Sequence, residues 1–148
     1  LTGIKTTSCL DHFLAGRAAA AAGFDDALLC NGGGALCECS RSNIFWSRDG
    51  TLFTPSLESG PLAGIARALV LQWAEEARVT GRQCAFIPHE LQTADELFIT
   101  SSASGPRPVA SLQLDEGSNI NWKIPGPMTA TFAARWHRAV TDDEFAAS

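Results

Sequence analysis

Ala27-Leu28-Leu29-Cys30-Asn31-Gly32-Gly33-Gly34-Ala35-Leu36-Cys37-Glu38-Cys39 sets two short apolar runs on either side of an Asn-Gly-Gly-Gly turn. Asparagine and glycine reach positive φ at little steric cost, so the stretch predicts an antiparallel hairpin with strands over 27–30 and 35–39. Strand alternation puts Cys37 and Cys39 on one face, with Glu38 between them in a segment that otherwise reads as buried. A carboxylate in such a place is costly unless it meets a cation or strong donors. A salt bridge to Arg41 or Arg67 is the ordinary way to meet that need.

Outward from the hairpin, residues 43–47 run through Arg48-Asp49-Gly50 into residues 51–54, which extends the hairpin into an antiparallel meander. Upstream, Leu10, Phe13, Leu14 and Ala18 recur at helical spacing, and Gly23 is a natural stop for a helix over 8–23. Downstream, residues 55–60 read as a loop. The longest helical pattern covers 62–78, with Ile65, Leu69, Trp73 and Ala77 on one face. Strands are expected over 83–87, 96–100 and 109–114, with a short helix at 90–94. Pro125 and Pro127 flank the start of a last helix that ends near Val140. The sum is an α/β domain of the α+β type, a barrel-like, largely antiparallel sheet flanked by helices. Residues 1–140 read as one domain, and the acidic, alanine-rich residues 141–148 as a tail that frays.

Composition narrows the function. The 148 residues carry 11 Lys and Arg against 16 Asp and Glu, for a net charge of -5, and the basic residues form no run. Nucleic acid is therefore not the expected partner. The most apolar windows, 18–24 and 62–74, are too short for a bilayer or carry Arg67, so no membrane partner is expected either. No secretory pattern is visible, which makes the cytoplasm the expected location. The five cysteines find no partners among His12, His89 and His137 at metal-ligand spacing. They read as thiols in a reducing compartment, with no metal site.

Four features carry possible chemistry, and each has a plain alternative. Lys5, ahead of the first helix, reads alone as a surface lysine. Glu38 is the second. The third is Gly60-Pro61-Leu62-Ala63-Gly64-Ile65-Ala66-Arg67, a glycine-bearing loop entering a helix, where free N–H groups can hold an anion. The fourth is Thr100-Ser101-Ser102-Ala103-Ser104-Gly105, a hydroxyl cluster at a strand end that reads equally as a polar turn. An amine, a buried carboxylate, a helix start and a hydroxyl-rich loop together are what a pyridine aldehyde phosphate requires.

These residues fall in blocks that resemble the class IV aminotransferases. The blocks are Ile4-Lys5-Thr6-Thr7 through Gly23-Phe24-Asp25-Asp26-Ala27-Leu28-Leu29, Glu38-Cys39-Ser40-Arg41-Ser42-Asn43-Ile44-Phe45 and Leu52-Phe53-Thr54-Pro55. Leu62-Ala63-Gly64-Ile65-Ala66-Arg67, Ala94-Asp95-Glu96-Leu97-Phe98, Thr100-Ser101-Ser102-Ala103 and Pro108-Val109 follow in the family's order, and Pro125-Gly126-Pro127 matches its closing segment.

The resemblance implies a pyridoxal 5'-phosphate (PLP) enzyme, a transaminase acting on an amino acid and a 2-oxo acid. It implies that Lys5 is the Schiff-base lysine and carries the Cα proton, and that Glu38 keeps the pyridine nitrogen protonated. Ile65 and Ala66 would offer backbone N–H groups to the phosphate, and Ser102 its hydroxyl and N–H. Leu62 would pack on the ring. Gly64 and Ser101 complete the cofactor set, while Ser102 and Ala103 border the substrate; Arg41 has no assigned role.

Two departures from the pattern are Ala66, where the family often has threonine, and Ser8, where asparagine is common. The family's N-terminal domain precedes the lysine and closes over the cofactor. With Leu1 four residues before Lys5, the chain reads as a fragment lacking that domain. Relatives are usually homodimers, so a homodimer is implied. An aminodeoxychorismate-type lyase uses the same lysine and glutamate, and Asn43-Ile44-Phe45-Trp46 resembles that branch. A non-catalytic domain that only pairs with a partner domain or subunit is the alternative from another class.

Overall fold

The computed structural model describes residues 9–115 and 118–141; Lys5 and Ser8, with the rest of 1–8, and residues 142–148 of the expected tail lie outside them. The first hairpin forms as its turn chemistry directs. β1 (Leu28–Cys30) pairs antiparallel with β2 (Leu36–Cys39), setting Leu28 against Cys39 and Leu29 against Glu38. Asn31 closes the turn: its Oδ1 accepts the N–H groups of Gly33 at 2.9 Å and Ala35 at 3.0 Å. Gly34 supplies the left-handed residue at φ 80°.

A five-stranded sheet forms the body. Its strands are β3 (Asn43–Arg48), β4 (Thr51–Pro55), β5 (Gly81–Cys84), β6 (Glu96–Ser101) and β7 (Gly105–Pro108), in the order β5-β4-β3-β6-β7. Asp49 and Gly50 both take positive φ, the primed-turn geometry that lets β3 and β4 keep their twist. Pairing is antiparallel except between β4 and β5, which run parallel. That pair needs a crossover, and α2 (Ile65–Glu76) provides it. A separate hairpin joins β8 (Ser111–Asp115) to β9 (Ser118–Asn121), and α1 (Leu10–Ala21) and α3 (Pro127–Thr141) complete the fold. The sheet is thus mainly antiparallel and flanked by helices, in the expected class.

β3 is the centre, and alternation along it feeds two cores. Ile44 and Trp46 pack with Leu36, Phe53, Phe86, Leu91 and Leu97 on one face. Phe45 packs on the other with Leu52, Phe98, Val70 and Trp73 of α2 and Phe132 of α3. The rings of Phe45 and Phe98 stack at 5.2 Å. Each such side chain contributes about 1.5–3 kcal/mol through burial.

Several expectations need correction. α2 begins at Ile65 and buries Ala66, Arg67, Val70, Trp73 and Ala74. The expected face is therefore rotated, and Ile65 and Ala77 are exposed. Small Ala66 and Ala74 let the helix sit close to the sheet, and the stem of Arg67 fills space that a bulky-residue count overlooks. The strand expected at 83–87 lies at Gly81–Cys84, wholly exposed on the sheet edge, and a 3-10 turn spans Pro88–Thr93. β7 and β9 were not anticipated. β7 carries Pro106 and Pro108, which remove ladder donors and are tolerated because the strand is an edge. The last helix continues to Thr141, one residue into the segment expected to fray.

Candidate active site

The β3–β6 register places three residue pairs on the helix-bearing face of the sheet: Asn43 with Thr100, Phe45 with Phe98, and Ser47 with Glu96. The aromatic pair is the core, and the polar pairs lie at its two ends.

At the Glu96 end, α3 points its N-terminus at the carboxylate. Oε1 accepts the Met128 N–H at 2.9 Å and Oε2 the Thr129 N–H at 2.9 Å. The hydroxyls of Thr129 and Ser47 donate as well, at 2.6 Å and 3.3 Å. A Cβ at Gly126 would overlap this carboxylate, so glycine lets the helix start close to it. The end is closed.

The Asn43 end borders a cavity of about 1060 Å³. Its walls come from α1, the β1–β2 hairpin, the start of α2 and the end of β6. Among its lining residues are Glu38, Leu62, Gly64, Ala66, Ser101, Ser102 and Ala103, drawn from three separate stretches of sequence. Of the described residues expected at a site, Ile65 stands apart. The residue is 66% exposed, so only its backbone at the first turn of α2 can serve. Lys5 lies outside the described residues.

Glu38 does not pair with Arg41 or Arg67. Its Oε2 accepts the Leu62 N–H at 3.0 Å and Asn43 Nδ2 at 3.3 Å, while Oε1 lies 3.2 Å from His12 Nε2. Arg67 instead donates to the Pro55 carbonyl at 2.9 Å and to Gln83 Oε1 at 2.8 Å. Burial pulls its pKa below the usual arginine value. Arg41 reaches the Asp25 carbonyl at 3.3 Å from the cavity rim.

Asn43 is the keystone of this wall. It donates to Glu38 and, at 2.8 Å, to the Leu62 carbonyl. Its Oδ1 occupies the space that a Cβ at Gly64 would take, so Gly64 is required by Asn43 as much as by any ligand. Asp26 pins the neighbouring loop: it accepts the Ser40 N–H at 3.0 Å, the Ser40 hydroxyl, and the Ser42 hydroxyl at 3.2 Å.

Among the described residues, donors beside the cavity are left without partners. α2 has no side-chain N-cap, so its first amides are open. Thr100, 1% exposed, lines the cavity with a buried Oγ1 that makes no hydrogen bond. An orphaned hydroxyl beside an uncapped helix start suits an oxyanion. Ser101 bonds to Ser104 at 2.9 Å within its own turn, and Ser102 stands exposed on the rim.

Two thiols of this wall are held toward the neutral form. Burial pushes Cys39 up to about 12, reinforced by the charges of Asp26 and Glu38. Burial also raises Cys37, whose Sγ donates to the Ser59 carbonyl at 2.7 Å. Among the described residues no group of three His, Cys, Asp or Glu side chains is arranged for a metal ion, and no helix is long and apolar enough to cross a membrane.

Asn43, Thr100 and His12 were missed as site residues. Asn43 and Thr100 had a usable signal, since each is a polar residue at the end of an apolar strand. His12 had none beyond its place on the first helix.

A family model described as amino-transferase class IV matches residues 1–112. A Thermotoga maritima protein provisionally named branched-chain-amino-acid aminotransferase is 40% identical over 106 residues, 72% of this chain and 38% of that protein. A crystal structure from Legionella pneumophila subsp. pneumophila, provisionally named 4-amino-4-deoxychorismate lyase, superposes with a TM-score of 0.85 at 27% identity. It is matched over 93% of this chain and 49% of that one. The branched-chain aminotransferase of the thermophilic archaeon Thermoproteus uzoniensis, solved with norvaline, gives a TM-score of 0.80 at 31% identity, covering 92% and 44%. Another solved branched-chain amino acid aminotransferase, complexed with N-(5'-phosphopyridoxyl)-L-glutamate, gives a TM-score of 0.78 at 29% identity, covering 90% and 44%. The chain spans about two fifths of the length of the curated relatives it matches.

Proposed function

This chain belongs to the class IV amino-transferase family, and on that premise we propose that it is the cofactor-binding domain, residues 1–140, of a PLP-dependent transaminase. The reaction is transfer of an amino group between an amino acid and a 2-oxo acid. One observation carries the reading: a single cavity is lined by a donor-braced carboxylate, an uncapped helix start and a threonine whose buried hydroxyl has no partner.

The residues fit the cofactor. Three donors brace Glu38, and a carboxylate offers about four acceptor positions. The remaining position can take the proton of a pyridine nitrogen. The Ile65 and Ala66 amides, Ser102 and Thr100 would hold the phosphate, with Ser101 and Ala103 at the rim. Leu62 would back the ring and Lys5 would supply the amine. When bound, PLP supplies the electron sink for the pair left at the substrate Cα.

Each residue has a physical task in that scheme. Glu38 would favour a proton on the nitrogen, because a carboxylate held beside the ring stabilises its positive form. The α2 amides orient the anion without spending side-chain entropy. Lys5 moves the proton at Cα. The cavity walls restrict water around them.

The reading is tested by titrating PLP into the chain and following the visible band of the lysine-bound cofactor. The band is expected in the wild type and absent in Lys5→Ala. The intact protein is expected to convert an amino acid with 2-oxoglutarate. An intact protein with neither a Lys5-dependent band nor turnover overturns the assignment.

The likeness to the lyase-named structure favours one second reading, cleavage of aminodeoxychorismate with release of pyruvate. Pyruvate from that substrate, without 2-oxoglutarate, would select it. A band in the intact protein but none in this chain would mark the domain as non-catalytic by itself. The same reading carries a cytoplasmic homodimer, and sedimentation of the intact protein checks the dimer.

A further inference from the structure

His12 is one of the three donors to Glu38, and the only one that comes from α1. Its Nε2 lies 3.2 Å from Glu38 Oε1, with the glutamate side chain 12% exposed and the histidine 41%. The residue belongs to α1, seven positions after Lys5 (12 − 5 = 7).

α1 buries none of its residues. Leu10, Phe13 and Leu14 are 65%, 59% and 50% exposed, so apolar packing does little to hold this helix to the sheet. Among the described residues, two close approaches bring it to the β1–β2 hairpin and the turn after it. One is His12 to Glu38. The other is Gly16 to Ser40, where a Cβ would come within 2.9 Å of the hydroxyl oxygen.

We propose that His12 is a positioning residue, tying the Glu38 carboxylate to the helix that follows Lys5. This rests on the PLP reading above. Leu62 and Asn43 both engage Oε2, which anchors one oxygen. The terminal torsion of a glutamate is broad and roughly two-fold, so one anchored oxygen leaves the carboxylate plane poorly defined. Donation from His12 Nε2–H to Oε1 fixes the plane, and both the neutral Nε2–H tautomer and the imidazolium can make it. The same bond holds α1 against the cavity wall. One contact thereby sets both the acceptor for the ring nitrogen and the seat of α1.

Two measurements on the full chain test this. Amide hydrogen exchange without PLP reads the docking of α1 alone. His12→Phe is expected to speed exchange across α1 roughly tenfold, the loss of a hydrogen bond to a charged group, and to leave α2 and α3 unchanged. His12→Gln, whose amide can donate to the same oxygen, is expected to restore most of the protection. PLP titration reads the effect on the site: His12→Phe weakens binding roughly tenfold, and His12→Gln recovers it to within about threefold.

Unchanged α1 exchange in His12→Phe overturns the proposal. So does faster exchange with undiminished PLP binding. A wild-type chain with the same PLP response as Lys5→Ala defeats the cofactor assignment for this chain, and the exchange arm then decides the His12 contact by itself.

Discussion

The two ends of the β3–β6 ladder offer the same problem and opposite solutions. Each places a polar pair beside a stacked aromatic core, and each has a helix N-terminus pointed at it. At Ser47 and Glu96 the helix closes down: two amides and two hydroxyls converge on one carboxylate. At Asn43 and Thr100 the helix start comes close to Asn43 but borders a cavity, with its first amides uncapped and a buried hydroxyl unpaired. The closed end satisfies its own groups and contributes stability. The open end leaves groups unsatisfied, a cost tolerated where a ligand completes them.

The largest effect expected from this contrast is at the closed end. Glu96→Ala removes the acceptor of buried amides and hydroxyls and should destabilise the fold by about 3 kcal/mol or more. Urea unfolding measures this. Glu38→Gln is the matching change at the open end. It should cost about 1 kcal/mol or less in the same assay, yet weaken PLP at least tenfold in a titration. Equal losses of stability from the two substitutions would erase the distinction between the ends.

The third prediction concerns the dry wall behind Glu38. The unfolded Cys39 thiol ionises near 9.0 and the folded one near about 12. The raised value means that its contribution to stability is fully present below 9.0. It falls as pH rises toward 12, because the unfolded chain releases a proton that the fold retains. The slope is about 1.4 kcal/mol per pH unit. Stability from pH 8 to 11 should therefore fall more steeply in the wild type than in Cys39→Ala, and parallel slopes would show that water reaches the wall.

The smallest effect is at Thr100. Thr100→Val replaces an orphaned hydroxyl by a methyl of the same shape, so stability should stay within about 1 kcal/mol or rise. Inorganic phosphate should bind more weakly in a competition titration. A clear loss of stability would mean that the open end is as self-satisfied as the closed one.

Much of this was legible in the chain because the signals are local. Asn31 and its glycines demanded a turn, Asp49-Gly50 demanded another, and Glu38 between two cysteines marked a carboxylate in need of partners. What could not be read was which partners it would find. Arg41 and Arg67 are near in sequence or right in charge. The fold instead delivers a histidine 26 residues upstream and an amide 24 residues downstream. The rotation of α2 was also hidden: Ala66 and Ala74 are buried because the sheet allows close approach there, while Ile65 is left outside.

From its sequence alone this protein had its element types, its turns and the kinds of chemical group available to a site, since propensity, steric freedom and spacing act within a few residues. Tertiary structure alone decided which helix start would be plugged by a carboxylate and which would stay open over a cavity. That choice turns on strand register and on which side chain meets each helix start, and both are settled by packing between residues far apart in the chain.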